Sequence, residues 1–287
     1  MPLPSSGPLS MSAINAEVGS VDTFSLRGLS AAVGFSTPDA MSEFYGYNFA
    51  NVPYSYGSPR ILFDFASTGN YGNGIVNIPD LSGNGNTGTF TVGTLGGSAT
   101  GASGYVNSGL SSGYEFQTSP ENSIRSNQSR DIMSGTSNYS IAIWYYHRSW
   151  QTNYPGIDGH NAISGNGFEW IITPDISGYR MWHRRGNNYA FLNFSAQGQS
   201  YGLNQWHFVV LRFSYPTVSI DWYNNSGGRI TITTTDFNSI SGGSFQIPLR
   251  YNNYIHGRVG YYSLWNYDIG AGGSDIIFNA MRGRYGR

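Results

Sequence analysis

Residues 206–213 read WHFVVLRF, and this stretch decides the fold class. Alternate residues of a β-strand point to opposite faces of its sheet. One face of this stretch carries Phe208 and Val210, and the other carries Val209 and Leu211. Because both faces are largely apolar, the stretch is predicted to be a central strand.

Further stretches with period-two alternation lie on both sides of this strand and are separated by turn residues. The sequence YNNSGGR at 223–229 is typical of an Asn/Gly hairpin, which fixes the register of its two flanking strands. Short strands in this number predict an antiparallel β-sandwich. The predicted strands are 60–65, 87–92, 138–146, 167–173, 179–182, 189–194, 206–213, 217–223, 228–234 and 257–267.

The composition agrees with an all-β protein. Aromatic residues make up 16% of the chain, Gly numbers 39, and only 11% of the residues are charged, which suits short strands and tight turns better than long solvated helices. At the C-terminus, Ser274 is predicted to cap a short closing helix that carries Ile277 and Met281.

The charge pattern argues against a nucleic-acid partner. The formal net charge is -1, and all 15 basic residues are Arg. The nearest approach to a basic patch is the triplet His183, Arg184 and Arg185, which is too small because phosphate-backbone binding needs many neutralised charges together.

The chain has no Cys, so neither a disulfide framework nor a thiolate zinc site is expected. The N-terminal residues lack the basic and apolar parts of a signal peptide, and no apolar run reaches membrane-spanning length. The sequence therefore predicts folding in a reducing cytosol and no membrane insertion.

The first forty-odd residues follow a different pattern, with three short helices that each end at a Gly. Ser10 or Ser12, Ser25, and Ser36 or Thr37 are the expected caps. Isolated helices this short are marginal in water. They are therefore expected to bury their apolar residues against the sandwich, another copy of the chain or a larger assembly, and those residues are Ile14, Val18, Leu26, Leu29, Val33, Met41, Phe44 and Tyr45.

From about residue 60 onward the chain resembles the laminin-G-like, concanavalin-type jelly roll. The resemblance is carried by DLSGNGNTGTF (80–90), GYEFQTSPENSIR (113–125), NYSIAIWYY (138–146), NQWHFVVLRF (204–213) and the closing GRVGYYSLWNYDIGAGGSDIIFNAMRGRYG (257–286). It implies a mainly β, concanavalin-like antiparallel sandwich with a short C-terminal helix.

The N-terminal sequence motifs INAEVG (14–19), SLRGLSAAVG (25–34) and AMSEFYG (40–46) resemble a segment near the start of many structural proteins of tailed phages. This resemblance implies a virion protein assembled in the bacterial cytoplasm, with other virion proteins and copies of itself as partners. The expected domains are an anchoring segment at 1–48, a linker at 49–59 and the sandwich at 60–287.

Glycosidase chemistry is not expected. Concanavalin-like folds also host glucanases, which need two carboxylates a few ångströms apart. No two of the Glu residues share a predicted strand at alternating spacing, and Glu169 stands alone on its strand. The chain also lacks a GxSxG motif and a phosphate loop ending in Lys.

A candidate calcium site lies after the first predicted strand, and calcium is the one cofactor that the resemblance implies. Ca²⁺ prefers the oxygen ligands that Asp, Asn and Ser supply. The candidate ligands are Asp64, Asp80, Ser82, Asn84 and Asn86. The alternative is a plain Asx/Gly turn whose side-chain oxygens cap their own backbone.

Sugar binding uses aromatic faces for stacking and polar groups for hydroxyls, presented on loops. Trp144, Trp206, Trp222 and Trp265 lie inside apolar strands and are assigned to the core. The surface candidates lie in the segment 147–161 and around an expected hairpin tip, and they are Trp150, Tyr154, Asp158, His160, Trp182, His183, Arg184, Arg185, Asn188 and Tyr189.

These patterns indicate a phage tail fibre or tail-associated adhesin whose sandwich binds host-surface polysaccharide. One alternative is a purely structural capsid-decoration, neck or tail protein, in which the same aromatic segments contact a neighbouring subunit. A more distant alternative is a glycan depolymerase.

Overall fold

The fold is described from a computed structural model. It describes residues 3–18, 25–32, 40–45, 55–65, 77–92, 104–106, 113–116, 122–126, 138–149, 157–160, 168–175, 178–185, 188–193, 202, 204–224, 227–235, 248–251 and 256–285. Strands dominate, and the helices are short. None of the helices in these ranges is long and apolar enough to cross a membrane.

Two eight-stranded antiparallel sheets form a β-sandwich. Sheet I has the order β14-β13-β12-β7-β16-β5-β4, and β1 also pairs with β16. Its strands are β1 (Ile61–Asp64), β4 (Gly104–Val106), β5 (Gly113–Phe116), β7 (Asn138–Ser149), β12 (Gln205–Ser214), β13 (Thr217–Tyr223), β14 (Arg229–Thr235) and β16 (His256–Trp265).

Sheet II has the order β11-β10-β9-β8-β15-β6-β3-β2. Its strands are β2 (Asn77–Ile78), β3 (Gly88–Val92), β6 (Asn122–Ser126), β8 (Ile157–His160), β9 (Phe168–Asp175), β10 (Gly178–Arg185), β11 (Asn188–Asn193) and β15 (Pro248–Tyr251). Neighbours such as β15 and β6 are far apart in sequence, so pairing in this sheet depends on the whole fold.

Both faces of the middle of sheet I are buried. Strand β12 lies between β7 and β13, and all its residues from Trp206 to Phe213 are buried. One face carries Trp144, Phe208 and Tyr223 and is covered by the C-terminal helix α3 (Gly270–Met281). The opposite face carries buried Ile143, Leu211 and other apolar residues that a sandwich directs toward its second sheet. The prediction of a central strand is confirmed.

Buried polar contacts hold the C-terminal residues on this sheet. Arg284 donates to Asp64 at 2.6 Å, and both side chains are almost completely buried. At the other end of α3, Ser274 donates to the buried Asp221 at 2.7 Å, and Asp221 also accepts from Arg212 at 2.7 Å. The helix is therefore fixed near both of its ends by buried polar contacts to strands.

Tyr285 fills the space between the helix and the sheet. Its ring centroid is 4.5 Å from those of Trp144 and Trp206, and a Cβ added at Gly260 would be 2.7 Å from its hydroxyl. Burial raises the pKa of Tyr285 well above its ordinary value, and the neighbouring Asp64 raises it further. Gly260 is thus required by close packing.

The N-terminal elements form a small core of their own. Helix α1 (Met11–Val18), helix α2 (Leu26–Ala32) and a 3-10 turn (Met41–Phe44) contribute the fully buried Ile14, Leu29 and Phe44, and Leu3 is buried with them. Every residue of this cluster lies between 3 and 44. The sandwich, another copy of the chain or a larger assembly was expected to bury these residues, whereas within the described residues the three elements bury them by packing on one another.

The caps of these elements were largely predictable. The Ser10 hydroxyl accepts from the Ala13 amide, and the Ser25 hydroxyl accepts from the Gly28 amide, both at 3.0 Å. The third element is a 3-10 turn, in which Glu43 reaches back to the Ala40 amide at 3.2 Å. The predicted caps Ser36 and Thr37 lie outside the described residues.

The fold class predicted from the sequence is confirmed, but some elements differ. The hairpin at 223–229 is present, with the Gly228 amide donating to the Asn224 side chain at 2.8 Å. Helix α3 begins at Gly270, four residues before the predicted cap. Ser274 therefore lies inside the helix, where its buried hydroxyl donates to the Asp221 carboxylate. At the start of the helix, the Asp268 carboxylate accepts a hydrogen bond from the Gly270 amide.

Candidate binding site

Strands β8 to β11 bring most of the predicted glycan candidates onto neighbouring strands of sheet II. The backbone register aligns His160 with Glu169, Glu169 with Arg184, and Arg184 with Tyr189. A second register row aligns Asp158, Ile171, Trp182 and Phe191. The candidates of the two sequence segments therefore meet in one sheet.

The local structure of these candidates differs from the loops that were expected. Asp158 and His160 lie on β8, and His183, Arg184 and Arg185 continue β10 up to the turn, with Arg185 opposite Asn188. The expected hairpin tip is therefore present but shorter, since strand pairing runs to its last residues. Trp150 and Tyr154 lie outside the described residues.

The candidate calcium ligands form a closely hydrogen-bonded turn. One Asp80 carboxylate oxygen accepts from the amides of Leu62 and Ser82 at 2.9 Å. The other accepts from the Ser82 hydroxyl at 2.8 Å and the Asn86 amide at 2.9 Å. The Asn84 and Asn86 amide groups donate to the Arg60 carbonyl at 3.3 and 2.7 Å. The turn is thereby tied to the start of β1.

Asp64 has another role, because its carboxylate is engaged by Arg284. Among the residues that the structure describes, no group of three His, Asp or Glu side chains is gathered where it could hold a metal ion. The arrangement around Asp80 is what a turn capped by its own side chains requires.

We therefore predict that calcium leaves the stability of this protein unchanged. Both oxygens of Asp80 already accept hydrogen bonds, so an ion would have to displace them to bind. The measurement is the thermal unfolding midpoint with and without millimolar Ca²⁺, with Mg²⁺ as control. A midpoint that rises with Ca²⁺ alone would show binding to the folded state and contradict the prediction.

Carboxylates elsewhere in the described chain also serve structure. Asp221 is fully buried and accepts from Arg212, Ser274 and Thr231. Asp275 accepts from Arg229 at 2.7 Å and from the Tyr223 hydroxyl at 2.8 Å, which contributes, after burial, to raising the pKa of that tyrosine. Each of these groups holds an arginine or a hydroxyl in place.

The predicted anchoring residues lie mostly inside the N-terminal core. Ile14, Leu29 and Phe44 are fully buried, and Leu26 and Met41 pack against them. Tyr45 is 41% exposed, and its hydroxyl donates to the Gly7 carbonyl at 2.7 Å. The Val18 backbone ends α1, whereas Val33 lies outside the described residues.

Sequence reasoning assigned no role to two exposed tyrosines at one end of sheet I. Tyr215, in the turn between β12 and β13, is 49% exposed, and Tyr267, just after β16, is 37% exposed. Both belong to segments that read as core strands or turns, so no motif marked them. The sequence feature that could have identified them is an aromatic residue at or just after the end of a predicted strand.

No protein-family model matches the chain, and no curated protein matches it in sequence. Solved structures do share its fold. One is domain 4 of AbnA, a GH43 extracellular arabinanase from Geobacillus stearothermophilus, in complex with arabinotriose. It has a TM-score of 0.56 and 13% identity and covers 78% of this chain and 98% of that one.

Two further similar structures are toxin binding domains. The binding domain of Paraclostridial Mosquitocidal Protein 1 has a TM-score of 0.52 and 16% identity, and the match covers 77% of this chain and 52% of that one. The binding domain of botulinum neurotoxin DC in complex with SialylT has a TM-score of 0.51 and 17% identity, with 78% and 52% covered. The chain thus spans about half the length of these toxin domains and shares their β-sandwich fold.

Proposed function

We propose that this chain is a glycan-binding protein without catalytic activity, presented on the particle of a tailed phage. The observation that carries the first part is the sandwich itself, whose fold is shared with a domain solved with arabinotriose and a binding domain solved with SialylT. The described carboxylates Asp64, Asp80 and Asp221 are all engaged in structural contacts, which supports binding over hydrolysis.

The proposed virion role is supported by the N-terminal motifs INAEVG, SLRGLSAAVG and AMSEFYG, and by the separate core that the N-terminal elements form. A compact module that ends near Tyr45 and precedes the sandwich suits attachment at one end and binding at the other. Many copies on a particle would convert weak single contacts into firm adhesion through effective concentration. Host-surface polysaccharide is the proposed ligand, and other virion proteins are the proposed partners of the N-terminal module.

The test is binding of the full chain to a panel of purified bacterial lipopolysaccharides and capsular polysaccharides, with release of reducing ends followed in the same samples. We expect saturable binding with no product release. Binding to no glycan, together with labelled chain located inside particles, would favour the purely structural role. Release of reducing ends would favour a depolymerase.

A further inference from the structure

One end of the helix-covered face of sheet I is polar where the rest of that face is aromatic. The strand register aligns Ser140, Arg212, Ser219 and Thr233 in one row across four strands. The next row outward aligns Asn138, Ser214 and Thr217. Two rows inward, Trp144, Phe208 and Tyr223 lie in the core covered by α3. The sheet therefore changes from an aromatic to a hydroxyl-rich surface along its strands.

This hydroxyl-rich surface, defined by Asn138, Ser214, Thr217, Ser219 and Thr233, is open to solvent. Thr233 is exposed and the other four are half-buried. Ser219 and Thr233 are linked through their hydroxyls at 3.1 Å. From strand spacing, the four strands β7, β12, β13 and β14 span about 14 Å. Contacts with residues 267–269 bury Ser140 and Arg212 in the middle of this width, so a short oligosaccharide would lie along the outer row and across β13 and β14.

One exposed aromatic side chain lies beside this surface. Tyr215 follows directly on Ser214, and its amide donates to the Asn138 side chain at 3.2 Å. On the other side of β7, the Tyr267 backbone carbonyl accepts from the Ser140 hydroxyl at 3.1 Å, but the Tyr267 hydroxyl lies away from the surface, where it accepts from the Ser58 amide at 3.4 Å. Tyr215 is one of the four large hydrophobic side chains that are exposed in the described part of the chain. Exposed aromatic faces next to hydroxyl groups are the elements of a sugar site.

The electrostatics of the surface favour an uncharged ligand. Among the described residues of these two rows, the cation is Arg212, which is buried and engaged by Asp221 at 2.7 Å and by Asp268 at 3.4 Å. The guanidinium is thus neutralised by two carboxylates, and it does not offer a bidentate site to an acidic sugar. Asp268 is the more exposed of the two carboxylates, so an anionic ligand would meet like charge.

We infer that the hydroxyl-rich surface, flanked by Tyr215, is the glycan site and that it selects neutral oligosaccharides over acidic ones. This inference rests on the proposed glycan-binding function and specifies its location and ligand class. The Tyr215 ring supplies stacking, and the Ser, Thr and Asn groups pair with sugar hydroxyls. It differs from the candidate residues on β8 to β11, which sequence reasoning favoured.

The test measures affinity of the full chain for arabinotriose, cellotriose and mannotriose as neutral probes, and for 3′-sialyllactose as the acidic probe. Tyr215→Ala and Thr233→Glu should each weaken neutral-sugar binding about tenfold or more, as loss of a central contact does. Tyr215→Phe should retain it, because the ring is kept. Tyr45→Ala is the matched control, since it removes a similarly exposed tyrosine from the N-terminal module and should leave sugar affinity unchanged.

Trp182→Ala tests the competing site on β10, and unfolding midpoints near that of the parent chain establish that every variant is folded. If the parent binds sugars and only Trp182→Ala weakens binding, the inference is overturned while the proposed function stands. Preference for 3′-sialyllactose would also overturn it. If the parent binds none of the probes and none of the polysaccharides, the proposed function fails and the inference fails with it.

Discussion

Replacing Arg284 with Met should lower the free energy of unfolding by about 3–5 kcal/mol, because it removes the cation from a buried ion pair. The Arg284 guanidinium lies 2.6 Å from the Asp64 carboxylate, and their side chains are 1% and 0% exposed. A buried carboxylate that loses its cation cannot recover the loss from water. Chemical denaturation followed by tryptophan fluorescence measures the change.

Two variants control this prediction. Arg229→Met breaks the pair with Asp275, whose side chains are 28% and 43% exposed, and an exposed pair of this kind should cost about 1 kcal/mol or less. The double variant Asp64→Leu/Arg284→Met should be more stable than Arg284→Met alone, because it removes both charges. Equal losses for Arg284→Met and Arg229→Met would contradict the buried-pair argument.

Phe278→Ala should cost about 3–5 kcal/mol, the usual range for removing a buried aromatic side chain. Its ring centroid lies 4.1 Å from that of Tyr223 and 5.7 Å from that of Trp144, so the substitution leaves a cavity where α3 meets the sheet. We expect a lower unfolding midpoint and a weaker near-ultraviolet circular dichroism signal from Trp144.

Ile276→Ala is the matched control for this substitution. Ile276 lies on the same helix, but it is 47% exposed, so its truncation should change stability by no more than about 0.5 kcal/mol. If Phe278→Ala proved as mild as Ile276→Ala, α3 would not be held by its aromatic contacts.

The strands that the sequence predicted are those whose own residues carry the signal. β12 is apolar on both faces, and β13 was predicted from Thr217 to Tyr223 as observed. The short strands β2, β4, β5, β6, β8 and β15 were missed, because stretches of two to five residues carry little periodicity. β5, for example, exists because Tyr114 and Phe116 align with Val259 and Gly257, and such pairing depends on residues far along the chain.

The candidate sites show the same difference between local patterns, which the sequence reveals, and contacts between distant residues, which it does not. The local Asp, Ser and Asn pattern is enough to locate the Asp80 turn, and that pattern fits both a calcium site and a plain turn. Whether Asp64 belonged to it depended on Arg284, which lies 220 residues later. The hydroxyl-rich surface is invisible in the sequence because Ser140, Arg212, Ser219 and Thr233 come together only through strand register.

Strand β16, close to the C-terminus, lies in the interior of sheet I, between β7 on one side and β1 and β5 on the other. During translation, β1 therefore lacks its partner until residues as far as Leu264 have been made, and its apolar residues stay uncovered until then. Sheets that depend on such late pairing fold slowly and are prone to aggregate on the way. Production of this protein should accordingly benefit from low temperature and chaperones, and chains truncated before Trp265 should be degraded rather than accumulate.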